Sequence, residues 1–495
     1  MTNARIWFYS LIMITSVMSS GLFAQDFLDA LRYSEPGITT GARALSLGNA
    51  YTVIGNDYSA TIFNPATLGL ARNTRFSVSV NVNGYANSAT LFDKTTDFSN
   101  VETTFNQFGI VIPLADDTSK NFVLSLGYIQ TKDFNRALKF DAFNAQNHSF
   151  IQNLAVEQGG ITSQLGLSYP EFQSGQYIGE QTLINGNLQQ SGYTLEVGGV
   201  NNWSVGASYE FATNIFFGGS ANYVVGNYIG DIEYTENDIQ NIYDESVQTD
   251  PGNSLTTDFN EFYYHETNDQ VFNSWDFRFG LLYKAWNFIG IGASVKVPVN
   301  YSIIQNKYVT ATATYGTGLV NKVDTTSAEL EYSLRTPYEF TLGAAVNIWF
   351  ITGMAEITYI DYTQMSFTDG LDTPVRSLKN KEIKELFTQT FNLKAGVEFR
   401  LPFTGLSARV GAQYQPSPFV AAPKNIQGKY AERSSFDKIY LSAGIGIRSG
   451  DNLAVDLGYT YGFWDNITDN YGLNLSRVTQ NVKLHNIIAT VTIGL

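Results

Sequence analysis

Four basic side chains are the best candidates in this sequence for holding a negatively charged group. They occupy polar positions in C-terminal segments where apolar and polar residues alternate, and they are Lys394, Arg400, Arg409 and Arg448. Ammonium and guanidinium groups bind carboxylates through charge-assisted hydrogen bonds. Two uses remain open. The four could hold the anionic head-group of a bound molecule, or they could form ion pairs with N-terminal carboxylates, namely Asp29, Glu35 and Asp57.

A second candidate group consists of aromatic side chains in the long segment 132–200. Its members are Phe134, Phe140, Phe143 and Phe150. Apolar side chains that cluster on a surface often mark a binding site for a hydrophobic molecule. We therefore expect these four to capture a small hydrophobic ligand. A small core within the loop is the alternative for each of them.

The sequence contains few residues at spacings that would support catalysis. The chain has no cysteine, which excludes disulfides, thiol catalysis and zinc sites built on cysteine. Its three histidines (His148, His265 and His485) are far apart in the sequence, and no serine stands at a spacing that indicates a hydrolase triad. A net charge of −15 disfavours binding to nucleic acid. We expect no enzyme activity, no cofactor and no resident metal.

Residues 229–271 account for most of the net charge of −15, because they hold eleven acidic residues and neither lysine nor arginine. Such a segment repels a carboxylate unless divalent cations bind it. It therefore favours a neutral hydrophobic ligand. A solvated loop that bridges lipopolysaccharide through divalent cations is the other interpretation.

The segments that carry these residues have the period of two that is typical of β-strands. Aromatic residues make up 14% of the chain and charged residues only 15%, which is little charge for a soluble surface of this size. Periodicity alone does not say which face meets solvent, because a soluble sandwich would show the same pattern. We place strands at 75–85, 104–114, 121–131, 201–212, 215–228, 273–284, 288–302, 335–347, 350–361, 389–401, 406–415, 438–448, 452–464 and 483–495.

The lengths of the connections favour a barrel. Every second connection is short, as at Thr213–Asn214 and Pro402–Gly405, whereas the others are long, notably 132–200 and 229–272. Tight turns at one end and long loops at the other are typical of outer-membrane barrels. The sequence thus predicts an all-β protein, a transmembrane antiparallel barrel of about fourteen strands in the outer membrane of a Gram-negative bacterium. It needs no second subunit, so we expect a monomer surrounded by outer-membrane lipid and lipopolysaccharide.

The N-terminal region divides into two parts. Residues 1–24 have the features of a signal peptide: Arg5, the apolar stretch Ile6–Val17 and a cleavage site before Gln25. Residues 25–74 do not alternate and are rich in glycine and alanine, so we expect a plug inside the lumen, followed by the barrel at 75–495. A barrel of fourteen strands is too wide for its own side chains to fill.

Three short motifs in this region carry a family resemblance. They are Asp29-Ala30-Leu31-Arg32-Tyr33-Ser34, Gly41-Ala42-Arg43-Ala44-Leu45-Ser46-Leu47-Gly48-Asn49-Ala50 and Asn64-Pro65-Ala66-Thr67-Leu68-Gly69-Leu70. Together they resemble the N-terminal signature of the FadL/TodX family. The match covers about 45 residues of the chain. It departs from the family at Asn49 and Thr67, where glycine is common.

The resemblance implies that residues 25–74 form a hatch whose gating residues are Gly48, Asn64, Pro65 and Ala66. Proline fixes its own φ and keeps the residue before it out of a helix, so the motif also reads as a rigid turn that presents an asparagine. The family takes up long-chain fatty acids or aromatic hydrocarbons, which implies passive diffusion of small hydrophobic molecules through a hatch-gated barrel.

Two other functions stay open. Some barrels of this family are non-transporting subunits that dock proteins for a secretion system, and the long acidic loops would suit that role. A general porin for polar solutes is the third reading, although a plugged lumen argues against an open pore.

Overall fold

The computed structural model describes residues 27–114, 122–285, 288–420, 436–450, 452–472 and 475–495. The predicted signal peptide lies outside the described residues. The N-terminal segment, by which we mean residues 27–71, contains short helices, and strands make up most of the remainder.

The regular elements have the following bounds. The helices are α1 (Phe27–Ser34), α2 (Ala42–Ser46), α3 (Ala60–Phe63), α4 (Phe150–Glu157), α5 (Gly159–Leu165) and α6 (Thr373–Leu386), with 3-10 helices at Pro65–Leu70 and Tyr362–Gln364. The strands are β1 (Arg75–Leu91), β2 (Lys94–Pro113), β3 (Phe122–Asp133), β4 (Arg136–Asn144), β5 (Tyr169–Gln173), β6 (Gln176–Gln181), β7 (Leu188–Ala212), β8 (Ile215–Asn237), β9 (Phe259–Ala285), β10 (Ile289–Lys296), β11 (Asn300–Tyr315), β12 (Val320–Thr326), β13 (Leu330–Arg335), β14 (Glu339–Ile348), β15 (Ile351–Asp361), β16 (Ser366–Asp369), β17 (Gln389–Arg400), β18 (Leu406–Gln415), β19 (Lys438–Ser449), β20 (Leu453–Asp469) and β21 (Arg477–Gly494).

These strands close into one antiparallel barrel with 14 wall positions. The wall runs through β1, β2, β3, β7, β8 and β9, then through the interrupted strands β10–β11, β13–β14 and β15–β16, and returns through β17 to β21. The last strand pairs with the first, from Arg75 with Gly494 to Thr90 with Thr479. Because closure leaves no unpaired edge, the backbone is satisfied within a membrane. The predicted fourteen-stranded transmembrane barrel is confirmed.

The two faces of the wall follow the outer-membrane pattern. On β18, the exposed side chains include Leu406, Val410 and Tyr414, whereas Ser407 and Arg409 point inward and are buried. Val410 remains 52% exposed although it is apolar, and the same holds around the barrel. An apolar outer band with a polar interior is the arrangement that lipid requires.

Several strands are far longer than a bilayer needs. Strands β7, β8 and β9 have 25, 23 and 27 residues, while about 9–11 residues suffice to span the hydrocarbon. Exposed aromatic residues on their outer faces, Trp203, Tyr223 and Trp275, lie at the level where an interfacial girdle would sit. Beyond that level the three strands continue away from the turn end and project outside the membrane.

The first connection was predicted to be long, and this is wrong. Residues 86–103 extend β1 and β2 into a hairpin whose turn consists of Phe92 and Asp93, both with positive φ. Residues 95–100 alternate in exposure without an apolar series. A strand outside the membrane has no lipid-facing side, so the pattern used to find strands was missing.

The acidic stretch 229–271 was predicted to be a loop, and this too is wrong for about half of its length. Strand β8 continues to Asn237 and β9 begins at Phe259. Residues 229–237 pair with residues 261–269, and residues 238–258 connect the two strands. Similarly, the segment 132–200 contains β4, two helices, the β5–β6 hairpin and the first part of β7.

Two neighbouring wall strands are interrupted at prolines. Residues 297–299 separate β10 from β11, and residues 336–338 separate β13 from β14. Pro298 and Pro337 lie in these breaks, and a proline has no amide hydrogen for the ladder. The Thr336 amide still donates to the Val299 carbonyl at 2.9 Å, which keeps the two strands together across the break.

The projecting region has a hydrophobic core of its own. Helices α4 and α5 pack with β4, β11 and β12 around buried side chains such as Leu154, Leu165 and Phe262. Within the part of the chain that the structure describes, none of the helices is both long enough and apolar enough to cross a membrane.

The position of the apolar band can be tested with one substitution. Val410→Arg places a charge against lipid, so we expect it to lower the free energy of unfolding from phospholipid vesicles by about 2–4 kcal/mol. Tyr308→Arg is the matched control, because Tyr308 is also exposed (47%) but lies on the projecting part of β11. It should change the free energy by less than about 1 kcal/mol. Equal losses in urea titrations would contradict this position of the band.

Candidate functional site in the lumen

The N-terminal segment lies against the inner face of the barrel and is almost entirely buried. Helix α1 is held in an aromatic cluster. Phe27 packs against Phe387 at a ring distance of 6.0 Å, and Tyr33 packs against Phe272 at 4.9 Å. The Tyr33 hydroxyl donates to the Gln270 side chain at 2.6 Å. Aromatic burial and this hydrogen bond fix the start of the segment near the projecting end of the barrel.

Inward-facing glycines of the wall receive the rest of the segment. A Cβ atom built on any of them would come within 3.2 Å of the N-terminal segment, closer than ordinary van der Waals contact. We call this set the glycine ring: Gly109, Gly127, Gly206, Gly218, Gly280, Gly292, Gly343, Gly396, Gly411, Gly444 and Gly458, each on a different wall strand. The nearest atoms of the segment are backbone atoms at five of these glycines and side-chain atoms at the other six, so the segment lies directly against the wall. Glycine inside a strand is the sequence signal for such an approach.

Asn64 joins two parts of the segment to the wall. Its side-chain oxygen accepts from the Ala66 amide at 3.1 Å. Its side-chain nitrogen donates to the carbonyls of Thr52 at 2.8 Å and of Leu281 at 3.0 Å. The Ser208 hydroxyl donates to the Ala66 carbonyl at 2.8 Å. Asn64 and Ala66 thus connect the 3-10 helix that starts at Pro65 with two wall strands, β7 and β9.

Position 48 requires glycine because of its backbone conformation and its close approach to the wall. It has a φ of 63°, and a Cβ atom there would lie 2.6 Å from the Ala412 backbone nitrogen. Asn49 follows with a φ of 59°, a conformation that asparagine tolerates better than most residues. Its side-chain oxygen accepts from the Thr40 hydroxyl at 2.8 Å. This departure from the family motif keeps the left-handed turn.

A buried cluster of charges links the segment to the wall near the turn end. Arg43 of the segment donates to both carboxylate oxygens of Glu398, at 2.9 and 3.2 Å. Arg409 and Arg400 each donate to Glu398 at 2.7 Å, and Arg409 also reaches Asp456 at 2.6 Å. Three guanidinium groups around one carboxylate, with a second carboxylate beyond, make a dense charge-assisted network.

A second contact of this kind uses Glu356. Lys394 donates to one of its oxygens at 2.9 Å, and the amides of Tyr51 and Thr52 donate to the other at 3.0 Å. Lys394 acts here through a wall carboxylate that in turn holds the backbone of the segment.

Lys394, Arg400 and Arg409 therefore pair with wall carboxylates and not with the N-terminal carboxylates expected from the sequence. Asp29 pairs with Arg32 of its own helix, Glu35 pairs with Lys438 at 2.8 Å, and Asp57 accepts from a tyrosine within the segment. Arg448 lines a cavity of about 50 Å³ at the turn end, beside Asp57. Sequence reasoning missed Arg43, Glu356 and Lys438, because isolated charged residues carry no spacing that reveals their partners.

The four candidate capture residues lie in two regions of the protein, one around α1 and one in the projecting region. Phe134 is buried beside Tyr33 and Phe272 in the aromatic cluster around α1. Phe140 is buried in the core of the projecting region, and Phe150 packs there against Tyr234 at 4.7 Å. Phe143 is half-buried on β4.

Two cavities lie next to the N-terminal segment. The outer cavity has a volume of about 750 Å³, and its lining includes Leu31, Tyr85, Ile232, Phe419 and Trp464 together with several charged groups. The inner cavity has about 110 Å³ and is lined about equally by polar and apolar surface, with lysine–glutamate pairs along its wall.

Most acidic side chains of the projecting strands form ion pairs or hydrogen bonds. Glu266 pairs with Lys307 at 2.8 Å, and Glu236 accepts from the first amides of α4, at 2.7 Å from Phe150 and 3.1 Å from Ile151. Among the described residues, no group of three or more histidine, aspartate or glutamate side chains could hold a metal ion.

The role of the glycine ring can be tested by substituting two adjacent glycines, of which only one belongs to the ring. Gly218→Val should push the N-terminal segment away from its seat, raise ion conductance in planar bilayers and lower the free energy of unfolding by about 1–3 kcal/mol. Gly219→Val is the control, because Gly219 faces outward and a Cβ atom there would meet Phe279 at an ordinary 3.5 Å. A conductance that both substitutions leave unchanged would argue against a seat that depends on glycine.

The Glu398 network can be tested by removing its charge. Glu398→Gln leaves the buried guanidinium of Arg43 without its ion-pair partner, so we expect a loss of about 3–5 kcal/mol in unfolding free energy. Asp324→Asn breaks an exposed pair with Lys322 at 2.9 Å and should leave the unfolding free energy almost unchanged, because water screens such a pair. If urea titrations give similar values for the two, the network does not hold the segment.

Comparisons with known proteins agree with this architecture. No family model and no curated protein sequence matches the chain. Among solved structures, the toluene transporter TodX of Pseudomonas putida is similar with a TM-score of 0.52 and 15% identity over 92% of this chain and 99% of that one. A FadL homologue of Pseudomonas aeruginosa gives 0.53 and 12% over 92% and 98%. The chain thus has the fold of the FadL/TodX-type outer-membrane barrels.

Proposed function

We propose that this protein is an outer-membrane channel through which small hydrophobic molecules enter by passive diffusion. The observation that carries the proposal is a lumen in which an aromatic-lined outer cavity of about 750 Å³ meets a seated N-terminal segment. A seated segment prevents free flow of polar solutes, and apolar walls favour hydrophobic molecules over water.

In this proposal residues 25–74 act as the hatch, and Gly48, Asn64, Pro65 and Ala66 form its latch. The contacts of Asn64 with Thr52 and Leu281 support the assignment, because breaking them would free two parts of the hatch at once. Phe134 packs against Tyr33 in the aromatic cluster around α1, which supports a role for it in ligand capture.

Neutral molecules fit this lumen better than fatty acids. The outer cavity is lined by seven carboxylates but only three basic side chains, so it carries net negative charge. Such a cavity raises the energy of an entering anion. The similar structure of TodX is described as a toluene transporter, which agrees with a neutral hydrocarbon as the substrate class.

A direct test compares toluene with benzoate, which has the same ring and a negative charge. Vesicles containing the protein should take up toluene, but not benzoate, faster than protein-free vesicles. Ile232→Arg places a charge in the outer cavity and should reduce protein-dependent uptake roughly tenfold. Ile239→Arg, which alters an exposed isoleucine outside that cavity, is the matched control. Uptake that Ile232→Arg leaves unchanged would refute this route.

The alternative role in protein docking has one observation in its favour. The projecting region carries exposed apolar side chains, with Val156 80% and Phe172 61% exposed, on elements outside the barrel wall. A protein that shows no uptake and purifies in complex with secretion components would favour this function over transport.

A further inference from the structure

The outer and inner cavities meet at one place. Of the described residues that line the outer cavity, only Glu35 and Asn392 also line the inner one. Glu35 follows helix α1, and Asn392 lies on the inner face of β17. A molecule that passes from one cavity to the other must therefore move past these two side chains.

Glu35 is held there by an ion pair. Both of its carboxylate oxygens lie 2.8 Å from the Lys438 ammonium, which also sits 5.6 Å from the centre of the Trp464 ring. Burial opposes ionisation of Glu35, but Lys438, Lys132 and Arg136 outweigh it and lower the pKa of the carboxyl to about 2. The Glu35 carboxylate is therefore ionised at neutral pH, and it lies at the boundary between the cavities.

The backbone at this point is fixed. The Lys132 ammonium donates to the carbonyl of Arg32 at 2.5 Å and to that of Glu35 at 2.8 Å, and the Glu35 amide donates to the Leu31 carbonyl at 2.9 Å. Next to it, Gly37 lies directly against the backbone of Thr131. With the main chain tied to β3, the mobile part is the side chain of Glu35.

We propose that the Glu35–Lys438 ion pair is a side-chain gate between the two cavities, which opens when Glu35 rotates away from Lys438 while the N-terminal segment stays seated. The inference rests on the proposed function for its purpose, but its geometry is independent of the substrate. Other lysine–glutamate pairs of the lumen do not meet the requirement. Lys296–Glu339 and Lys394–Glu356 line only the inner cavity.

Cysteine labelling can measure the gate directly, because the natural chain has no cysteine. Thr358→Cys places a reporter in the inner cavity, and Thr194→Cys places a reference in the outer one. A small charged methanethiosulfonate reagent is added to intact cells from outside. With the gate present, the inner cysteine should react slowly and the outer one quickly.

Removing either partner should open the boundary. Adding Glu35→Ala or Lys438→Met should speed labelling at position 358 roughly tenfold or more and leave position 194 unchanged. Glu266→Ala is the matched control, since Glu266 also forms a 2.8 Å pair with a lysine but lines only the outer cavity. The double change Glu35→Lys with Lys438→Glu restores an ion pair and should restore protection.

Two results would overturn the gate: labelling at position 358 that neither single variant accelerates, or an acceleration that Glu266→Ala produces equally. An increase at position 194 as well would indicate general loosening and would also count against it. Labelling reports access and not uptake. If the gate behaves as expected but toluene uptake is absent, the proposed function fails while the gate stands.

Discussion

A peptide group in hydrocarbon finds no water to bond with, so every strand in the wall needs a partner on both sides. Pairing of β1 with β21 meets this requirement and closes the sheet. Closure then determines the other features. The outer face must be apolar, and the inner space is too wide for wall side chains to fill. The N-terminal segment occupies that space, which turns a pore into a barrel with separate cavities.

The N-terminal segment is held mainly by its close contact with the wall, and less by the packing of large side chains. The glycine ring lets its backbone lie against the wall strands. Buried polar contacts at Asn64, Glu356 and Glu398 then fix its position, since moving the segment would break the hydrogen bonds that join it to the wall there. Such a seat resists movement of the whole segment. In the proposed channel, changes confined to single side chains, as at Glu35, would allow selective passage without an open pore.

Charge is distributed unevenly along the barrel axis. Acidic residues are concentrated on the projecting strands, whereas Arg400 and Arg448 lie at the turn end. If the protein is the channel proposed above, a ligand approaching from outside meets negative potential before it reaches apolar surface. This order would select against anions before the cavity is entered, independently of the fit within it.

The sequence by itself determined the barrel, its fourteen strands and a non-alternating segment before them, because a lipid-facing strand must alternate and a closed even barrel must place its turns at one end. It did not determine where strands end outside the membrane, since no lipid imposes a pattern on residues 86–103 or 229–237 there. It also did not reveal the partners of Arg43 or Glu35. Those contacts join residues about 355 and 403 positions apart, and only closure of the barrel around the segment brings them together.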